Sequence, residues 1–226
     1  IKFDPASGRS MTIGDSGQTA AQGSTNYPIV FTSLYDDFHG GDNNNDGNAT
    51  QPRPGDWERI IIKGNQHGVF IYTLFLYGSD GTLTLDSSSA ELKNCIFAFN
   101  KGGNPENYTG ALNARKGKHL TRISQTVFYA NELPLTINTS ISIDNTNRFY
   151  NPSDTSQRNR YNVIFIDATS PVSNAPEWKE NKVALVVASP VLRITQGQYC
   201  TLGNYVTLKF IKGSMLWLAS GVNSIY

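Results

Sequence analysis

In this 226-residue sequence, the residues whose type and spacing point most clearly to a defined chemistry are Asp42-x-Asn44-x-Asp46-Gly47. A D-x-[DN]-x-[DN]-G run offers side-chain oxygens at alternate positions, and Gly supplies the positive φ that closes a tight turn. Ca2+ takes 6–8 oxygen ligands, so such a loop is suited to it, with the Asn48 carbonyl placed to contribute one more. The twelfth position is Arg53, where an EF-hand would carry a bidentate Glu. Further ligands must therefore come from outside the hexad, and Asp36, Asp37 and Asp56 are the candidates. The expectation is Ca2+ held by Asp42, Asn44, Asp46 and Asn48, with Asp37 or Asp56 completing the shell. Zinc is disfavoured, because His39 is the only imidazole in the segment and no Cys is present. The competing reading is a solvated loop of Asx turns with no metal.

Other chemistry is harder to assemble. His39, His67 and His119 lie in unrelated segments, and no G-x-S-x-G element occurs. Asp144, Asp154 and Asp167, with Arg148 and Arg158 nearby in sequence, would serve a polysaccharide lyase or hydrolase only if they fell on neighbouring strands. Tyr35, Tyr108, Tyr150 and Tyr161 would form a sugar-stacking platform only if they shared a face. The expectation is a non-enzymatic protein, the alternative a carbohydrate-binding or polysaccharide-degrading one.

The elements that must position these groups are short. Runs such as "YPIVFTS", "ERIIIKG", "GVFIYTLFLYG", "AELKNCIFAFN", "TRISQTVFYAN" and "YNVIFID" are rich in β-branched and aromatic residues and are punctuated by Gly, Asn, Asp and Pro. Long amphipathic helical windows are missing, so the chain reads as all-β. Leu92-Lys93-Asn94-Cys95-Ile96-Phe97-Ala98-Phe99-Asn100 aligns with Ile123-Ser124-Gln125-Thr126-Val127-Phe128-Tyr129-Ala130-Asn131. Such likeness is what stacked turns of a solenoid require, because equivalent side chains then pile into ladders. The expected fold is a right-handed parallel β-helix over residues 1–226 as a single module, with one long Asp/Asn/Gly-rich loop. Residues 205–226 repeat the start of the module, residues 1–17: Lys209-Phe210 falls on Lys2-Phe3, and Ser214-Met215 on Ser10-Met11.

Composition excludes other classes. A net charge of +1 and a charged fraction of 16% give no footprint for nucleic acid. No apolar run is long enough to span a membrane. Cys95 and Cys200 have no metal-ligand spacing and read as buried thiols. The sequons at Asn48, Asn107 and Asn138 point to exposed loops. The chain opens at Ile1 without Met or a signal sequence, which suggests a processed chain or a segment of a longer one.

The order of "IKF", "TNYPIVFTS", Asp36-Asp37, Gly40-Gly41-Asp42, Asp46-Gly47, "PGDW" at 54–57 and Asn94-Cys95 with Phe97 and Asn100 resembles large bacterial right-handed parallel β-helix repeat proteins of the cell surface. The likeness covers nearly the whole chain. It departs after "PGDW", where Glu58-Arg59 replace small residues. The resemblance implies a secreted or surface-exposed structural role without an assigned reaction. Because the first residues and the last stretch, "SMLWLASGVNSIY", are both strand-like and apolar, end-to-end association with copies of itself or neighbouring modules is also expected. Ile1, Phe3, Trp217, Leu218 and Tyr226 are the anticipated interface. Polysaccharide is the other candidate partner.

Overall fold

The alternating apolar runs become strands that face one way inward, and the chain is all-β in the computed structural model, which describes residues 1–14, 17, 19–101 and 107–219. The helical content of the described residues is one 3-10 turn, Pro5–Ser7, capped by the Asp4 side chain on the Ala6 amide.

Three parallel sheets carry the first two thirds of the chain, and successive strands visit them in rotation. Ile60–Lys63 belongs to an eight-stranded sheet, His67–Ile71 to a four-stranded sheet and Thr73–Leu76 to a five-stranded sheet. Leu83–Asp86, Ser89–Lys93 and Ile96–Ala98 repeat that rotation, as do Leu112–Lys116, Arg122–Ser124 and Val127–Tyr129. Each strand pairs in parallel with its equivalent one rotation later. Tyr72, Asn94 and Gln125 turn the chain between the four- and five-stranded sheets at φ of 47°, 54° and 51°. Side chains other than Gly hold that left-handed geometry only where surrounding packing over-determines it.

The register matches the internal repeat residue by residue. Leu92 pairs Ile123, Ile96 pairs Val127, and Phe97 pairs Phe128. Phe97 and Phe128 are fully buried, whereas Ile96 and Val127 are only partly covered and stack in register. The aromatic ladder runs Phe31, Phe75, Phe97, Phe128, Phe149, with near-parallel rings at centroid spacings of 5.5, 4.6, 5.1 and 5.4 Å. Burying each ring is worth about 1.5–3 kcal/mol. Beside it, Asn100 Nδ2 donates to Asn131 Oδ1 and Asn131 Nδ2 to Asn159 Oδ1, both at 2.8 Å. The same amides donate to the carbonyls of Phe75, Phe97 and Phe128, which removes the cost of burying them.

Beyond residue 138 the rotation changes. The eight-stranded sheet continues through Val163–Asp167, Ala184–Val187 and Leu208–Phe210, while the strands between form two-stranded pairs: Glu177–Trp178 with Thr201–Leu202, and Val191–Ile194 with Met215–Leu218. A hairpin of Tyr150–Asn151 and Asp154–Arg158 is antiparallel. Lys209-Phe210 lies in the eight-stranded sheet but Lys2-Phe3 in the five-stranded one, so the two stretches likened in sequence occupy different sheets.

Cys95 and Cys200 are buried and unbonded, as their spacing suggests. Burial pushes their thiols up to about 12 and about 11, respectively. The third sequon departs from expectation: Asn138 ends the strand Leu135–Asn138, its amide donates to the Arg115 and Gly117 carbonyls, and Thr139 is buried.

Candidate metal centre

The loop between Ile29–Ser33 and Ile60–Lys63 is pinned at both ends. At its start, the buried Asp36 accepts hydrogen bonds from Thr32 Oγ1 at 2.5 Å and pairs with His39 Nδ1 at 2.7 Å. Burial opposes ionisation of Asp36, but the contacts with His39 and Thr32 outweigh it and hold its carboxyl below the usual range. At its end, Asp56 Oδ2 accepts from Ser33 Oγ at 2.6 Å and from the Arg53 amide at 3.0 Å. Trp57 then plugs into the core, stacked on Phe3 at 4.3 Å, with its indole N–H donating to the Leu76 carbonyl. The "PGDW" stretch is thus an anchor, and Asp56 serves it rather than the candidate ligand set.

Between the anchors the chain folds on itself. Asp42 accepts the Asp46 amide at 3.3 Å and the Gly47 amide at 2.9 Å, while Asn45 and Gly47 take φ of 58° and 69°. The hydrogen bond from Gly47 is the main influence holding the Asp42 carboxyl low. Asn44 Nδ2 donates to Asp46 Oδ2 and Thr50 Oγ1, and Thr50 Oγ1 donates to Asp46 Oδ2 at 2.6 Å.

Carboxylate oxygens of Asp37, Asp42 and Asp46 converge within 4.8 Å of one another. Both oxygens of Asp37, Oδ1 of Asn44 and Oδ1 of Asp46 are buried atoms with no hydrogen-bond partner. Acceptor atoms shielded from water without a partner are costly even in a half-buried loop, and three carboxylates at this spacing repel one another; a hard cation would remove both penalties at once. Of the residues expected from sequence, the structure brings together Asp37, Asp42, Asn44 and Asp46. Asn48 is exposed at the turn.

The other candidates disperse. Asp144 caps the turn at Thr146 and Asn147, Asp154 caps Ser156 in the hairpin, and Asp167 pairs with Arg115. Among the described residues, these three share no cluster. His67 bonds Ser89, and His119 is exposed. Tyr108 packs on Phe165 and Tyr161 lies beneath Arg160. Sequence reasoning overlooked the anchors Ser33, Thr32 and Trp57; the polar "TS" ending of an otherwise apolar strand was the available signal.

Of the anticipated assembly residues, Ile1 is 64% exposed, Trp217 45% and Leu218 50%. Phe3 is buried under Trp57 and is unavailable, because the "PGDW" anchor covers it. Tyr226 lies outside the described residues. Among those residues no helix is long and apolar enough to cross a membrane.

Comparison with family models, with curated proteins and with solved structures returns no match.

Proposed function

We propose that the chain is a right-handed parallel β-helix module that serves as a structural or adhesive building block of a bacterial surface or extracellular assembly, stabilised by Ca2+ in its acidic loop. The in-register pairing of Leu92–Asn100 with Ile123–Asn131, strand for strand and ladder for ladder, is the observation that carries the solenoid reading. It accords with the likeness to cell-surface β-helix proteins drawn from the "VFTSLYDDFHGGDNNNDGNATQPRPGDW" stretch. The four orphaned oxygens of Asp37, Asn44 and Asp46 support the cation, with these residues and Asp42 as its holders. Calcium would supply charge neutralisation and order there, with no reaction attached.

End-to-end association follows from the last strand pair. Met215–Leu218 is exposed along its whole length, with Met215, Leu216, Trp217 and Leu218 at 56, 38, 45 and 50%. An apolar edge of this kind pairs with a further strand, from a second copy or a following module. Sedimentation velocity of the chain with Ca2+ or chelator tests the reading. The expected result is concentration-dependent self-association that Trp217→Lys with Leu218→Lys abolishes without loss of the β circular dichroism spectrum. A strictly monomeric wild-type chain at high concentration would overturn the assembly reading.

A further inference from the structure

A groove of about 530 Å3 crosses the outer face of the eight-stranded sheet, and its lining residues are distinct from those of the acidic loop. That volume falls within the range of small-molecule sites. Its chemistry is set by a β-bulge. Asn113 pairs Thr84 but Lys116 pairs Asp86, so one extra residue is accommodated between them. Bulges re-aim side chains. Here the bulge brings Lys116 Nζ to 3.5 Å from Asp86 Oδ1 and sends Arg115 toward Asp167, where Nε donates to Oδ2 at 2.7 Å.

The result is a row of charges of mixed sign with one cation in excess. Lys63 lies opposite Asp86 in the next strand, so that single carboxylate stands between two lysines. Lys63 is exposed and has no ion pair among the described residues, and Lys116 is 75% exposed. The groove thus holds three cationic side chains, Lys63, Arg115 and Lys116, against two carboxylates, Asp86 and Asp167. Its floor adds Thr84, whose hydroxyl donates to the Gly81 carbonyl and so keeps acceptor capacity, and Asn113.

We infer that this groove binds an acidic oligosaccharide of the uronate type. A ligand that satisfies it must supply hydroxyl donors to Asp86 and to the Thr84 hydroxyl, a hydroxyl acceptor to the Asn113 amide, and carboxylates to the unpaired Lys63 and the loosely paired Lys116, while Asp167 is already held by Arg115, Thr169 and Ser189. Sugar acids carry all of these on one ring. A phosphate polyanion offers no hydroxyl donors to Asp86 and Thr84, and a neutral glycan would leave the excess ammonium unmatched. The strands lie about 4.8 Å apart, so Lys63 and Lys116, on strands separated by one other, present their charges roughly 10 Å apart along a direction that crosses the sheet. That arrangement suits carboxylates on successive or alternate units of an extended chain.

The test is calorimetric titration of the full chain with oligogalacturonate and with its methyl ester, which keeps the hydroxyls and removes the charge. Chelator is present throughout, so that calcium at Asp37, Asp42 and Asp46 plays no part and failure of the calcium reading leaves this result interpretable. The acid form is expected to bind, and the ester to bind at least about tenfold more weakly. Lys63→Ala with Lys116→Ala is expected to weaken the acid form by a similar factor at an unchanged melting temperature; both side chains are solvent-exposed, so the fold tolerates their loss. No heat with folded wild-type protein, equal binding of acid and ester, or a double variant that binds as wild type would each overturn the inference.

Discussion

Asparagine does opposite work in two regions of this molecule. In the buried interior, Asn100, Asn131 and Asn159 are linked in a line by hydrogen bonds, and each amide also donates to a backbone carbonyl, of Phe75, Phe97 and Phe128 respectively. In the acidic loop, Asn44 commits both donors of its amide, to Asp46 and Thr50, yet its Oδ1 is buried without a partner beside equally unpartnered oxygens of Asp37 and Asp46. The difference shows what regular stacking supplies. Where a residue repeats in register, its neighbour provides the missing partner. Where the chain leaves the register, an oxygen must find water or a cation.

If the interior is self-sufficient and the loop is not, substitutions in the two regions should separate cleanly. The largest effect is expected for Phe128→Ala, which opens the aromatic ladder between Phe97 and Phe149. It should cost about 3–5 kcal/mol in urea denaturation whether or not calcium is present. A loss below about 1 kcal/mol would mean that neighbouring rings close the gap.

Asn131→Ala tests the polar ladder. It leaves the Asn100 backbone amide and one of the two Nδ2 N–H groups without their acceptor, at about 1–3 kcal/mol for each buried donor. This loss should also be indifferent to calcium, measured by the same denaturation series.

The loop should behave in the opposite way. Calcium at a hundredfold excess over its dissociation constant is expected to stabilise the wild-type chain by about 2.7 kcal/mol, by mass action on the folded state alone. Asp37→Asn with Asp46→Asn should abolish the rise in melting temperature while leaving the calcium-free value near that of wild type or above it, since mutual repulsion of the carboxylates is relieved. A melting temperature indifferent to calcium in the wild-type chain would leave the loop as a set of Asx turns.

The smallest effect concerns Glu180, which is fully buried with Oε2 unpartnered while Oε1 accepts the Lys182 amide at 2.8 Å. Burial raises its carboxyl, opposed in part by Lys182. The folded protein therefore holds this proton more tightly than the unfolded chain. The resulting stability is complete below the ordinary value of 4.5 and is lost as pH climbs through the raised one. Glu180→Gln should flatten that decline in melting temperature measured across the acid range, with little change near neutrality in the loop's calcium response.

The β-character, the stacking of Leu92–Asn100 on Ile123–Asn131 and most of the acidic cluster, at Asp42 and Asp46 with Asn44 beside them, were legible in the sequence. Alternation of apolar residues has a period of two in any strand, and a turn built on Asp-x-Asn-x-Asp-Gly is a local device whose geometry depends on residues a few positions apart. Only the tertiary structure decided what depends on distant partners. It selected Asp37 over Asp56 for the cluster because Ser33, arriving from the preceding strand, claims the Asp56 carboxylate. It removed Phe3 from the surface because Trp57 stacks on it from across the loop. It placed Lys209-Phe210 and Lys2-Phe3 in different sheets, since a short apolar motif specifies a strand but not which sheet receives it. It also put Lys63, Asp86 and Lys116 side by side, because parallel pairing joins residues more than twenty positions apart, and the extra residue of one bulge decides which of them meet.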